Sequence, residues 1–165
     1  MNLKNIIETG NLKQIEQFLQ RNINQIDKVA LDKALNIAAF YGDKHIVELL
    51  VKHGADINVR QENNMTPLDC AIENMQSNII EFLLANGADV NLQDNYGVTP
   101  LHRAIDVEIE ESNALEEYPP SIKITSLILA HNPNINVMDL NGKTPLDWAT
   151  ERQHIAAIEL LHTLL

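Results

Sequence analysis

The sequence predicts an all-α fold, a solenoid of about five helix-turn-helix units, because two short patterns recur along it in step. The tripeptide Thr-Pro-Leu begins at Thr66, Thr99 and Thr144, and the pattern Gly-Ala-Asp-x-Asn begins at Gly54 and Gly87. The first two copies of each pattern are 33 residues apart, and the third Thr-Pro-Leu follows after another 45. A fixed period between about 20 and 50 residues is the signature of a repeat architecture. The longer spacing predicts an insertion of about a dozen residues in one unit.

Each Thr-Pro pair predicts the start of the first helix of a unit. A threonine hydroxyl at the N-cap accepts a hydrogen bond from an otherwise unpaired backbone N–H. Proline suits the first helical position because no donor is needed there. The second unit has no such pair, and Asp32 is its expected N-cap.

Apolar runs at 46–50 and 79–83 predict the second helix of two units. Gly54 and Gly87 follow these runs, and each is expected to end its helix in a left-handed conformation that satisfies the last carbonyl groups.

These patterns place residues 1–165 in a single domain. The predicted units are 1–25, 26–58, 59–91, 92–136 and 137–165, with the insertion at about 109–120. The first and last units are degenerate and are expected to cap the stack. Polar segments at 60–64 and 93–97 are expected to project as β-turn fingers.

The two patterns and their period resemble the ankyrin repeat, and the resemblance covers nearly the whole chain. It implies a monomeric, non-catalytic module that binds another protein through finger tips and the concave side of the first helices. A rigid scaffold of this kind loses little conformational entropy on binding. The family pattern also implies that His102, which stands where other units carry Asp69 and Asp147, ties its helix to the neighbouring turn.

Carried over column by column, the resemblance implies a set of contact residues. The finger tips supply Glu62, Asn63, Met65, Asn95, Tyr96, Val98, Leu140 and Lys143. The first helices supply Phe40, Tyr41, Glu73, Asp106 and Arg152. Arg103 and Trp148 share one column, and we expect Trp148 in the core and Arg103 at the concave face. The apolar tips, Met65, Tyr96 and Val98, either contact a partner or, as Tyr96 could, lie flat on the next finger.

The chain is acidic, with 12 basic against 23 acidic residues and a net charge of −11. Such a surface repels phosphate groups, which disfavours nucleic-acid binding. It either attracts a basic partner or only keeps the protein in solution. No apolar run reaches about 18 residues, so no membrane span is expected. No signal-peptide core follows Met1, and the expected location is the cytoplasm, with export to a host cell as an alternative.

Motifs for catalysis are missing from the sequence. It has no glycine-rich phosphate loop, no Gly-x-Ser-x-Gly and no pair of histidines four residues apart. Glu108, Glu110 and Glu111 could form an acid–base pair or a cation site, but we expect nothing apolar around them that would raise a pKa, and hence a solvated face. The sequence therefore predicts no enzymatic activity, metal site or cofactor.

The insertion concentrates negative charge. Its candidate contact residues are Glu110, Glu111, Glu116, Glu117 and Tyr118. It is expected to extend the preceding helix briefly before prolines 119 and 120 stop it. Two alternatives stay open: a tolerated loop, or a mask for a basic partner site in a dedicated inhibitor, immunity protein or exported bacterial effector. The use of Asn, Ile and Lys is typical of a low-GC bacterial source.

Overall fold

The computed structural model describes residues 3–22, 25–115 and 121–164. The chain forms two compact units, of which unit 1 ends at Ala88 and unit 2 begins at Asp89. Across the described ranges the chain forms helices and turns without a strand, which confirms the predicted all-α fold class. Unit 1 contains α1 (Leu3–Ile7), α2 (Leu12–Asn22), α3 (Lys28–Tyr41), α4 (Lys44–Lys52), α5 (Pro67–Glu73) and α6 (Ser77–Ala85). Unit 2 contains α7 (Pro100–Leu115), α8 (Lys123–Leu129), α9 (Pro145–Glu151) and α10 (Ile155–His162).

An aliphatic core lies between paired helices in each unit. In unit 1, α3 packs against α1, α4 and α5, and α5 packs against α6. In unit 2, α7 packs against α8 and α9, and α9 packs against α10. The fully buried side chains include Ile15, Leu35, Ile72 and Leu83 in unit 1 and Leu101 and Ile105 in unit 2. The predicted repeat boundaries and the single-domain organisation stay predictions.

The Thr-Pro helix starts are confirmed. Thr66 and Thr144 are the N-caps of α5 and α9, and each forms a capping box with the aspartate three residues later. In α5, Asp69 N donates to Thr66 Oγ1 (3.2 Å) and Thr66 N donates to Asp69 Oδ2 (2.9 Å). A reciprocal cap of this kind satisfies two N–H groups that would otherwise lack a partner.

At the start of α7, His102 stands in the place of the capping aspartate. Thr99 Oγ1 lies 2.8 Å from His102 Nδ1, and His102 Nε2 lies 3.0 Å from the carbonyl oxygen of Lys143. A carbonyl can only accept, so Nε2 carries the proton and Nδ1 accepts from Thr99. Burial lowers the pKa of His102 and so favours this neutral form. The expected tie between a first helix and the neighbouring turn is present in unit 2.

The expected N-cap at Asp32 is wrong, because the N-cap of α3 lies five residues earlier. Asp27 caps this helix by accepting from Val29 N (3.3 Å). Asp32 is buried within α3, where its Oδ1 accepts from Asp56 N (2.7 Å) and from Lys28 Nζ (2.5 Å). It joins two parts of unit 1 instead of starting a helix.

Gly54 and Gly87 end α4 and α6 as predicted, with φ of +90° and +91°. After α6, Gly87 N donates to Leu84 O (3.2 Å) and Ala88 N donates to Leu83 O (3.0 Å). This pair of bonds is the Schellman motif, which requires a left-handed residue at the glycine position.

Two fingers of unit 2, at 94–98 and 139–143, lie side by side. Each is closed by a backbone bond, from Asp94 N to Val98 O (3.0 Å) and from Asp139 N to Lys143 O (2.9 Å). Leu140 N donates to Tyr96 O (3.0 Å) and so joins the two fingers.

Helix α7 is much longer than its counterparts. It has 16 residues, whereas α5 and α9 have 7 each. The first part of the predicted insertion therefore continues the helix through Leu115. Three of the candidate contact residues, Glu116, Glu117 and Tyr118, lie outside the described residues.

The expectation that Glu108 belongs to a solvated face is wrong. Its side chain is fully buried, and Oε1 accepts from Ile124 N (2.6 Å) while Oε2 accepts from Thr125 Oγ1 (2.6 Å). These donors lie in the first turn of α8, so Glu108 holds α7 and α8 together. Desolvation by burial outweighs these hydrogen bonds and raises the pKa of Glu108 to about 7.

Candidate functional site

Asp94 fixes the first finger of unit 2. Its Oδ1 accepts from the backbone N–H groups of Tyr96 (2.8 Å) and Val98 (3.0 Å). Its Oδ2 accepts from Arg103 Nη2 at 2.7 Å, and the two side chains of this pair are only 3% and 13% exposed. A charge-assisted bond with so little access to water fixes the finger firmly to α7.

Asp139 makes equivalent contacts in the second finger. Its Oδ1 accepts from Asn141 N (2.8 Å) and Lys143 N (2.9 Å), and its Oδ2 accepts from Trp148 Nε1 (3.0 Å). Burial alone would raise its pKa, but these donors hold the pKa of Asp139 below its usual value, so the carboxylate stays ionised. The sequence analysis missed both bracing aspartates, although a shared spacing was visible: each stands nine residues before the side chain that it anchors.

Between these parts of unit 2 lies a cavity of about 270 Å³, called here the finger pocket. Its lining residues are Asp94, Tyr96, Val98, Arg103, Asp106, Asp139, Asn141 and Trp148. A second cavity of about 180 Å³ shares Asp139, Asn141 and Trp148 with it and adds Lys143, Glu151 and Arg152. Both cavities therefore meet at Trp148, the only tryptophan of the chain.

Arg152 lies over Trp148 at the end of α9. Its guanidinium carbon is 4.7 Å from the centroid of the indole ring, and Nη1 donates to Asp106 Oδ1. The Arg152 and Asp106 side chains are 38% and 30% exposed, so this pair is open to water. The indole also meets the buried His102 ring edge to face, with the centroids 5.3 Å apart.

The structure brings several of the expected contact residues together at this pocket. Tyr96, Asp106 and Arg103 line it, and Arg152 and Lys143 lie at the smaller cavity beside it. Trp148, expected in the core, is half-buried and forms part of the pocket wall. The expected exposure of Val98 is wrong: its side chain is 8% exposed, and its backbone N–H donates to Asp94 Oδ1 at the base of the finger.

The tips of these two fingers carry exposed apolar side chains. Tyr96 is 63% exposed and Leu140 is 75% exposed. Their main chains are joined by a hydrogen bond, so the two tips are neighbours. Asn95, the remaining expected tip of the first finger, is exposed as well.

The expected contact residues of unit 1 lie in two places. Phe40 and Tyr41 are exposed at the end of α3, with their rings edge to face at 5.5 Å. Glu62, Asn63 and Glu73 are exposed, and Met65 is half-buried.

In the insertion, Glu110 and Glu111 are exposed on α7. They directly follow Glu108 and Ile109, whose side chains are buried. The exposed glutamates therefore belong to a helix of which another face is packed. Within the described parts of the chain, no group of three acidic, cysteine or histidine side chains is placed to hold a metal ion. The described helices are also all too short or too polar to cross a bilayer.

The family model for ankyrin repeats, in three copies, matches residues 3–94. This range is more than half of the chain, and the chain belongs to the ankyrin repeat family. The Thr-Pro pairs at Thr99 and Thr144 lie beyond the matched range, and helices α7 and α9 begin at their prolines.

Two curated relatives are similar to part of the chain. α-Latrotoxin-Lt1a of Latrodectus tredecimguttatus is 33% identical over 67 residues, which are 41% of this chain and 5% of the toxin. Protein phosphatase 1 regulatory subunit 27 of Mus musculus is 39% identical over 72 residues, which are 39% of this chain and 44% of that protein. The chain thus spans less than half the length of each. Both relatives come from animals and give no support to a bacterial source.

Proposed function

We propose that this protein is a non-catalytic module that binds another protein mainly through unit 2. Ankyrin repeats are generic protein–protein interaction modules, and one relative is named as a regulatory subunit. The observation that carries the proposal is the combination of the exposed tips Tyr96 and Leu140 with the finger pocket that Tyr96 lines. Phe40 and Tyr41 of unit 1 are a second proposed contact, together with Glu62, Asn63, Met65 and Glu73.

This surface suits binding because its parts are already fixed. Asp94 and Asp139 hold both fingers through backbone and side-chain bonds, so little conformational entropy is lost when a partner docks. Tyrosine is among the residue types that most often dominate binding energy. A tyrosine that is 63% exposed on a fixed turn has most of its surface left to bury.

The proposed partner has a basic surface. A net charge of −11 attracts such a surface and speeds encounter at low salt. The same charge disfavours nucleic acid and anionic membranes as partners. We further propose that the protein acts as a monomer without a cofactor, and that it works in the cytoplasm, because its one cysteine can form no internal disulfide.

A matched pair of tyrosines tests the location of the contact. Peptides that bind the purified protein are selected from a displayed random library, and their affinities are measured by calorimetry. Tyr96→Ala is expected to weaken binding at least about tenfold, as loss of a central aromatic contact does. Tyr41→Ala removes the same side chain at nearly the same exposure, 62% against 63%, from unit 1. Equal losses would contradict the larger share assigned to unit 2, and loss only in Tyr41→Ala would place the main contact in unit 1. Unchanged denaturation midpoints exclude a folding defect.

A second candidate function is inhibition of a basic partner site by the acidic insertion. The observation that favours it is that Glu110 and Glu111 are exposed on a helix that Glu108 fixes to α8. Glu116, Glu117 and Tyr118, which lie outside the described residues, are proposed to contribute charge and an aromatic ring to the same contact. For a basic ligand, the double change Glu110→Gln with Glu111→Gln should slow association several-fold at low salt and have little effect at high salt. The control, Glu16→Gln with Glu81→Gln, removes two exposed charges from unit 1. An equal slowing in both would mean that only the overall charge matters.

A further inference from the structure

We propose that the finger pocket accepts an arginine side chain from an extended basic segment of the partner, with its guanidinium against Trp148 and paired with Asp106 in exchange for Arg152. This inference rests on the proposed protein-binding role and names the group that the partner would insert.

The chain's own Arg152 shows which group this site accommodates. Its guanidinium carbon lies 4.7 Å from the Trp148 ring centroid while the group pairs with Asp106. A planar cation over an indole face with a carboxylate beside it combines cation–π attraction and a charge-assisted hydrogen bond. Because the pair is 38% and 30% exposed, water screens it, and a second guanidinium can replace it at little cost.

The remaining wall of the pocket is rigid and favours a cation. Asp94 is bound to Arg103, and Asp139 is bound to Trp148, so neither aspartate has to move when a ligand enters the pocket. Three carboxylates line the pocket, and two guanidiniums face them, that of Arg103 in the lining and that of Arg152 paired with Asp106, which leaves one negative charge in excess. A carboxylate ligand would therefore meet repulsion.

Size and shape select arginine among cationic side chains. A cavity of about 270 Å³ is just below the range of sites for whole small molecules, about 300–1,000 Å³, and suits a single side chain. Tyr96, 63% exposed at the rim, adds a second aromatic surface for the stem. Lysine carries a compact, strongly hydrated charge that stacks less well on an indole than the guanidinium does.

The single tryptophan makes a direct test possible. The Trp148 indole N–H gives one resonance in the NMR spectrum of the ¹⁵N-labelled protein. The probe is arginine blocked at both ends, with blocked citrulline as its uncharged isostere and blocked glutamate as the opposite charge. A saturable shift of the indole resonance is expected with arginine, at an affinity in the millimolar range, about 4 kcal/mol. An equal response to citrulline, or no response to arginine, would overturn the proposal.

Two variants separate exchange with Arg152 from a general charge effect. Arg152→Gln removes the internal competitor and should tighten arginine binding about threefold or more, whereas Asp106→Asn should weaken it by a similar factor. Lys123→Gln and Glu110→Gln make the same changes of charge at exposed positions outside the pocket and should shift the affinity by much less. If each variant and its control behave alike, the pocket is not the site.

Failure of this inference is distinguishable from failure of the proposed function. In a library-selected peptide that depends on Tyr96, every arginine is replaced by citrulline. A loss of affinity of about tenfold or more, absent when Asp106→Asn is the receptor, supports the pocket. Full retention of affinity would leave the protein-binding role standing and overturn the arginine site.

Discussion

At the residue scale, Glu108 shows how far a local pattern can mislead. Its neighbours Glu110 and Glu111 suggest a solvated surface, yet Glu108 is fully buried and bonded to the first turn of α8. The helical period contained the correct signal, because Glu108 follows Leu101 by seven residues and Ile105 by three, on the stripe that is buried. What the sequence could not show is that the donors come from Ile124 and Thr125.

The buried carboxyl group predicts a pH-dependent stability. The pKa of Glu108 rises from 4.5 in the unfolded chain to about 7 in the folded protein. The folded state therefore binds this proton more tightly, and the resulting stabilisation is complete below 4.5 and lost as pH rises to about 7. The loss is at most about 3 kcal/mol. We expect the free energy of unfolding, measured in urea, to fall over this window, and we expect Glu108→Gln to lack that fall.

The control for this experiment is Glu110→Gln, which changes an exposed carboxylate two residues away. It should keep the slope of the original protein. The buried His102 and His154, whose pKa values burial lowers, act in the opposite direction as pH falls below their unfolded value of 6.5, and they are present in all three proteins. An identical slope in Glu108→Gln and the original protein would contradict the burial of Glu108 as the cause.

At the scale of elements, local rules predicted the helix ends well. Threonine, proline and glycine act on their own backbone neighbourhood, so the starts at Thr66 and Thr144 and the end at Gly87 follow from the sequence. The start of α3 did not, because Asp27 and Asp32 are equally good caps and tertiary contacts decide between them. The role of Asp94 was also missed, because its nine-residue spacing to Arg103 has a meaning only once the finger and the following helix are seen to pack together.

The helix end at Gly87 can be tested with one substitution. Gly87 has φ of +91°, and nothing would lie within 4 Å of an added Cβ, so the cost of a side chain there is purely conformational. Gly87→Val should lower the free energy of unfolding by about 1–2 kcal/mol. Ala85→Val adds the same β-branched side chain at an exposed position in α6 and should cost less than half as much. Equal losses would be inconsistent with a left-handed cap.

The contact between the two fingers can be isolated with a pair of glycines. Gly97 and Gly142 both have φ of +76°, but an added Cβ at Gly97 would lie 2.8 Å from Leu140 N, whereas at Gly142 nothing lies within 4 Å. Gly142→Ala should cost about 1–2 kcal/mol from backbone strain alone. Gly97→Ala should cost clearly more, because the second finger must also move. Denaturation midpoints that agree for the two variants would argue against the side-by-side fingers.

At the scale of the whole molecule, the repeat period predicted the fold class, but it could not rank the surfaces. The repeat pattern assigns finger-tip positions in every unit and does not distinguish Val98 from Tyr96. Burial separates them, since Val98 is 8% exposed and Tyr96 is 63% exposed. The finger pocket could not be predicted from the sequence either, because it forms from residues of two fingers and two helices whose spacing depends on packing.

The most direct test of the central claim is a map of amide chemical-shift changes when a library-selected peptide binds the ¹⁵N-labelled protein. The account predicts the largest changes in the fingers at 94–98 and 139–143 and at the indole N–H of Trp148, with small changes elsewhere. Changes confined to α8 and α10, or to unit 1, would contradict a binding surface built on the fingers of unit 2.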